Sequence, residues 1–142
     1  MLLFPIFTVG VVAFSVTRTT DYGPVSVETL IPYPTVQINI GGAYSDNTNL
    51  FTAPANGVYY FHYHHQHAPG VTGIWLNVNG GHVTETIGGD VSAYMSSSGS
   101  ITIQLTAGDA VVLYLSGDGV SQIRCQTSGE CIFGGFLVYE EL

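Results

Sequence analysis

Within Gly57-Val-Tyr-Tyr-Phe-His-Tyr63, every position from Val58 to Tyr63 except His62 is apolar or aromatic. Side chains alternate across a strand, so Tyr59, Phe61 and Tyr63 point one way while Val58 and Tyr60 point the other. A strand with one face in water keeps that face polar, whereas this one asks for cover on both sides. One side calls for a sandwich core. The other calls for a second body, and another copy of the chain is the simplest.

Short apolar stretches recur between Gly, Asn, Asp and Pro, with no helical period. They predict strands over Val11–Arg18, Thr35–Ile40, Leu50–Ala53, Gly57–His65, Gly73–Asn79, Ser100–Thr106, Ala110–Leu115 and Ile132–Glu140. Turns are expected at Gly41-Gly42, Asn79-Gly80-Gly81, Gly88-Gly89-Asp90 and Ala107-Gly108-Asp109. Ser96-Ser-Ser-Gly-Ser100 reads as loop. Ile101, Ile103 and Leu105 alternate with Thr102, Gln104 and Thr106, and Ile74, Leu76 and Val78 alternate with Trp75, Asn77 and Asn79. These predict one sheet with a wet face. Val111–Leu115, Val58–Tyr63 and Phe133–Tyr139 are apolar on both faces and are expected in a second sheet, covered twice. The fold class is all-β, a sandwich of the jelly-roll type.

The chain has 142 residues, with two Lys+Arg against ten Asp+Glu and a formal net charge of −8. Without a basic footprint, nucleic-acid binding through phosphate neutralisation is excluded. Only 8% of residues are charged and 46% are hydrophobic, which implies that self-association removes surface from water. No segment is long enough to span a bilayer. The apolar residues 1–8 read as an N-terminal extension or truncation scar, and 9–142 as one globular domain. Cys125 and Cys131 flank Gln-Thr-Ser-Gly-Glu, and Ser128-Gly129 supplies a turn that suits a disulfide. Two unconnected thiols are the alternative; no further Cys exists to complete a metal site.

Asn39, Tyr44, Phe51 and Gly57-x-Tyr59-x-Phe61-x-Tyr63 stand at spacings similar to the C1q globular-domain signature. Tyr33 stands where that signature opens with Phe. Val12-Ala-Phe-Ser15, Phe51-Thr-Ala-Pro54, Gly99-Ser-Ile-Thr-Ile-Gln-Leu105 with Gly108-Asp109, and Phe133-Gly-Gly-Phe-Leu137 also resemble family segments, covering residues 12–139. The resemblance implies a ten-stranded jelly roll shared with the tumour necrosis factor fold, assembled as a compact homotrimer. It implies core or trimer-packing roles for Tyr59, Phe61, Tyr63, Phe133, Gly135 and Val138. Relatives bind calcium near the trimer apex. In the matching segment, Ile87–Met95, a thioether at Met95 replaces an aspartate and leaves Asp90 as the calcium candidate.

His62, His64, His65 and His67 form the densest chemical cluster. His62 and His64 share one face and His65 and His67 the other, about 7 Å apart along each. Two such imidazoles can hold a transition metal. Ordinary strand-end histidines are the bland alternative, and the resemblance gives His64 a structural hydrogen-bonding role. If the cluster lies at a subunit contact, protonation below about pH 6.5 adds like charges there.

No Gly-x-Ser-x-Gly elbow, P-loop or His-Glu-x-x-His motif appears, so no enzyme is expected. The resemblance points to a secreted, non-catalytic homotrimer with no required cofactor, recognising extracellular glycans, microbial surfaces or receptor proteins through its outer loops. Gly70–Gly73, Gly80–His82, Gly117–Gln122 and Gln126–Glu130 are the candidate loops. Trp75 and Tyr22 are candidate aromatic anchors, and His82 a polar contact. A matrix- or fibre-forming trimeric head is the alternative.

Overall fold

In the computed structural model, residues 10–127 and 129–142 are described. The apolar extension at 1–8 and Ser128 lie outside them. Twelve strands form: β1 Ala13–Thr17, β2 Thr29–Leu30, β3 Thr35–Ile40, β4 Tyr44–Ser45, β5 Leu50–Thr52, β6 Gly57–His67, β7 Gly70–Val78, β8 Gly81–Asp90, β9 Met95–Leu105, β10 Ala110–Leu115, β11 Ile123–Arg124 and β12 Cys131–Glu140. They make two antiparallel sheets stacked as a jelly-roll sandwich. The first runs β3-β1-β12-β6-β9, with β11 beside the end of β6. The second runs β4-β5-β10-β7-β8, with β2 beside β10. β2, β4 and β11 have only two residues each.

β6 alternates buried and half-buried positions along its eleven residues. Its inward side chains Tyr59, Phe61, Tyr63, His65 and His67 are all buried. Around Phe61 the core is mostly aromatic: Phe14 stacks on Phe51 at 4.9 Å and meets Phe133 edge-on at 5.0 Å, while Phe51 meets Phe61 edge-on at 5.2 Å. Such pairs add to the burial energy of each ring. Tyr59 enters this core with a polar tip, which is satisfied because its hydroxyl donates to the Ala55 carbonyl at 2.7 Å.

Two glycines are set by close approach. A Cβ at Gly135 would lie 2.6 Å from the Tyr60 carbonyl oxygen and 2.7 Å from the Phe61 ring. One at Gly99 would lie 2.6 Å from the Tyr63 ring and hydroxyl. Arg18 is buried among neutral partners: its guanidinium donates to the carbonyls of Thr20, Pro32 and Asp21 and sits 4.7 Å from the centre of the Tyr22 ring. Burial lowers its pKa, yet these acceptors hold the 18–34 crossing in place. Cys125 and Cys131 form the disulfide, with Cα atoms 5.5 Å apart, and both are fully buried.

Three expectations need correction. Gly88-Gly89-Asp90 is no turn, because β8 runs through it paired with Gly70–Thr72. Ser96–Ser100 is no loop either; it is the first half of β9, in register with His62–Gln66. The two strand classes do not map onto the two sheets. β9, with its polar outer face, lies beside β6, while β10 belongs to the second sheet even though its outward Val112 is buried.

Candidate functional surfaces

The outer face of the first sheet is ordered in rows by strand register. Ile40, Ala13, Phe136, Tyr60 and Thr102 form one row across five strands. Ile38, Ser15, Gly134, His62 and Ser100 form the next. Beyond them Thr17, Ile132, His64 and Ser98 form a third. The face therefore passes from apolar to polar along β6. Ile38 and Ile40 are 46% and 51% exposed, and Phe136, Val138 and Tyr139 are 44–55% exposed. The Phe136 ring lies 5.4 Å from that of Tyr60. An open depression of about 400 Å³ continues this surface between Val11 and the end of β12.

β3 shows why this exposure matters. It presents Ile38 and Ile40 outward, opposite Ser15 and Ala13, and turns Asn39 inward, where Asn39 Nδ2 donates to the Tyr44 carbonyl at 2.8 Å and Oδ1 accepts from the Tyr44 N–H at 3.2 Å; a bulge then sets Val36 opposite the buried Val16. That is the reverse of an ordinary surface strand, and a contiguous outward apolar patch of this kind marks a contact face. Of the packing residues expected from sequence, Tyr59, Phe61, Tyr63, Phe133 and Gly135 lie inside the sandwich, and Val138 lies exposed at a bulge in β12. The outward set is different. Its signal was present in the alternation of Thr35–Ile40, but that pattern does not say which face points out.

The four histidines divide as the alternation requires. His65 and His67 are fully buried, with Nε2 2.5 Å from the Tyr33 hydroxyl and 2.6 Å from Ser97 Oγ respectively. The Nδ1 atom of each is buried without a partner among the described residues. Burial lowers His65 to a pKa of about 3, reinforced by His67, His64 and Arg18, and burial also lowers His67. The structural hydrogen-bonding role thus falls to His65 and His67 rather than His64. His62 and His64 are half-buried on the outer face, and neither ring takes part in a hydrogen bond among the described residues. Burial lowers His62 as well.

On the second sheet Trp75 is half-buried, with the His82 ring stacked on it at 4.0 Å and 13°. His82 Nε2 is 2.6 Å from Glu28 Oε1, so the 18–34 crossing is tied to the β7–β8 hairpin. Glu28 had no signal in the sequence; 54 residues separate it from His82. Tyr22, expected as an exposed anchor, is half-buried against the core under Arg18. Of the candidate loops, Gly70–Gly73 opens β7 and Gly81-His82 opens β8. Asp118 caps the 117–122 loop by accepting from the Val120 and Ser121 N–H groups. Glu130 caps the disulfide turn, accepting from the N–H groups of Gln126 and Thr127.

Within one chain the residues near Asp90 do not make a calcium site. Its Oδ1 already accepts from the Ser92 N–H and hydroxyl at 2.8 and 2.9 Å, bonds that lower its pKa. No cluster of three metal-ligating His, Cys, Asp or Glu occurs among the described residues. A hard cation needs six or more oxygen ligands, and this corner supplies one carboxylate.

The C1q domain family profile matches residues 13–138. The chain belongs to the C1q domain family. The match runs from the first residue of β1 almost to the end of β12, so the outward apolar face, the histidine pair and the Trp75 patch are all parts of this C1q domain. Caprin-2 of Danio rerio is 26% identical over 133 residues, which is 92% of this chain and 14% of that protein. The globular domain of zebrafish complement 1qA superposes with a TM-score of 0.75 at 22% identity, over 92% of this chain and 99% of that one. Murine APRIL at pH 5.0 superposes with a TM-score of 0.72 at 12% identity, over 90% and 99%. At these identities the two structures speak to the fold alone.

Proposed function

We propose that this C1q domain works as a secreted, non-catalytic homotrimer that recognises extracellular ligands (glycans, microbial surfaces or receptor proteins). The observation that carries the reading is the reversed strand β3: Asn39 is turned into the sandwich while Ile40 faces out in line with Phe136 and Tyr60, and Ile38 faces out in the next row. Three copies packed on this face remove it from water and leave the second sheet and the loops outermost. C1q domains typically form trimers and are typically extracellular, and the Cys125–Cys131 disulfide suits an oxidising compartment.

The recognition surface in this reading is the Trp75–His82–Glu28 patch with the 117–122 and 126–130 loops around it. His82 covers a face of Trp75, so a sugar ring or a planar side chain meets the imidazole first and Glu28 beside it. Three copies of a weak site give avidity that one copy lacks. Binding to immobilised glycans and microbial polymers tests this, comparing the parent with Ile38→Asp, which places a charge on the packing face. The expected result is multivalent binding by the parent, weakened by about 10²-fold or more in the variant. Absence of binding to every polymer and receptor ectodomain tried, with assembly into filaments seen by electron microscopy, would move the assignment to a structural head.

A further inference from the structure

We propose that His62 and His64 form a transition-metal site on the face that the three copies share. The inference rests on the trimeric reading above. The two imidazoles are successive residues on one side of β6, so their Cβ atoms stand about 7 Å apart and both rings can turn to one ion at the 2.0–2.1 Å expected for zinc and imidazole nitrogen. Among the described residues neither ring is engaged by a hydrogen bond, in contrast to His65, His67 and His82. Room for the His62 ring is made by Gly134, where a Cβ would fall 2.8 Å from His62 Nε2.

The surroundings favour this chemistry. Ser100 and Ser98 stand opposite His62 and His64 on β9, with hydroxyls that can hold metal-bound water. Gly134 and Ile132 stand opposite on β12, so neither neighbouring strand brings a charge to the pair. The nearest cation along β6 is Arg124, which donates to Gln66 Oε1 at 2.6 Å and lies 3.5 Å from Glu130. Imidazoles without carboxylates select zinc, copper or nickel over calcium or magnesium. Covering the face with other copies would bury two imidazoles per chain that have no partner in their own chain, and buried polar groups are rarely left so. One chain offers only two ligands; the facing copies' His62 and His64 and water complete the shell.

Zinc titration into tag-free protein, stripped with EDTA and dialysed, tests the site. The parent should bind Zn²⁺ saturably, Cu²⁺ more tightly, and neither Ca²⁺ nor Mg²⁺ in competition. His62→Asn/His64→Asn should abolish binding, and His64→Gln alone should weaken it by about tenfold or more. Paramagnetic resonance of the Cu²⁺ form of the parent should show nitrogen couplings from imidazoles, a readout that holds even if the double variant fails to fold. No saturable binding by the parent, or undiminished binding by a folded double variant, overturns the site. Light scattering on the same samples separates the two readings. A three-chain mass without zinc binding defeats only the metal site, whereas zinc bound by a single-chain species defeats its placement between copies.

Discussion

Acid should destabilise this domain through His65, by an amount that follows from its burial. The ring is fully buried between Tyr33 and Tyr63, with centroids 6.0 Å from each, and its pKa is held at about 3 against 6.5 for the free side chain. Because the folded pKa is the lower one, the unfolded chain takes up the proton first as pH falls. The contribution of neutral His65 is therefore intact above about pH 7.5, erodes below 6.5, and is exhausted near pH 3. At pH 5 the unfolded state is favoured by about one and a half pKa units, or about 2 kcal/mol. His67 and His62, both lowered by burial, act in the same direction.

The assay is urea unfolding at pH 7.5 and pH 5.0, with EDTA present to exclude metal and one fixed protein concentration so that parent and variant are compared under the same assembly conditions. His65→Gln keeps a group able to bond the Tyr33 hydroxyl but does not titrate. It should lose about 2 kcal/mol less than the parent between the two pH values, even if it is less stable at both. Equal losses in parent and variant would refute the reasoning, since they would mean that His65 is protonated within the fold at pH 5.

Other packing claims can be checked in the same way. Gly99→Ala puts a Cβ into the Tyr63 ring and should cost about 1–3 kcal/mol, read as a lower midpoint in thermal unfolding; a neutral result would show that Tyr63 can move. Reducing the Cys125–Cys131 bridge, or replacing both residues by Ser, should cost about 2 kcal/mol by the chain-entropy argument, with loss of structure confined to 125–131 in hydrogen exchange. Glu28→Gln alters the exposed Glu28–His82 contact and should change stability by less than about 1 kcal/mol. A larger loss would show that the 18–34 crossing depends on that contact.

How legible the fold was depended on what each strand buries. β6 could be read because both its faces are apolar, and the tight Gly135 approach to Phe61 matches the resemblance that drew attention to it. β8 and the first half of β9 were missed because Gly88-Gly89-Asp90 and Ser96–Ser100 carry turn-forming residues; pairing with β7 and β6 overrides that local preference. The partition of strands between sheets failed for a related reason. Sequence alternation reports whether a face is covered, and Val112 on β10 is buried without belonging to the sheet that carries the contact face. At the site, the histidine run divided between faces as its spacing required, but the hydrogen-bonding member was His65, because Tyr33 reaches it from 32 residues away. The pairing of His82 with Glu28 is long-range in the same sense and left no local trace.

The outward apolar face of the first sheet is the central claim, and the mass of the protein in solution tests it most directly. Light scattering at micromolar concentration should give three times the 15.1 kDa chain, falling to a single chain in folded Ile38→Asp. A single-chain mass for the parent, or a three-chain mass unchanged in that variant, would contradict it.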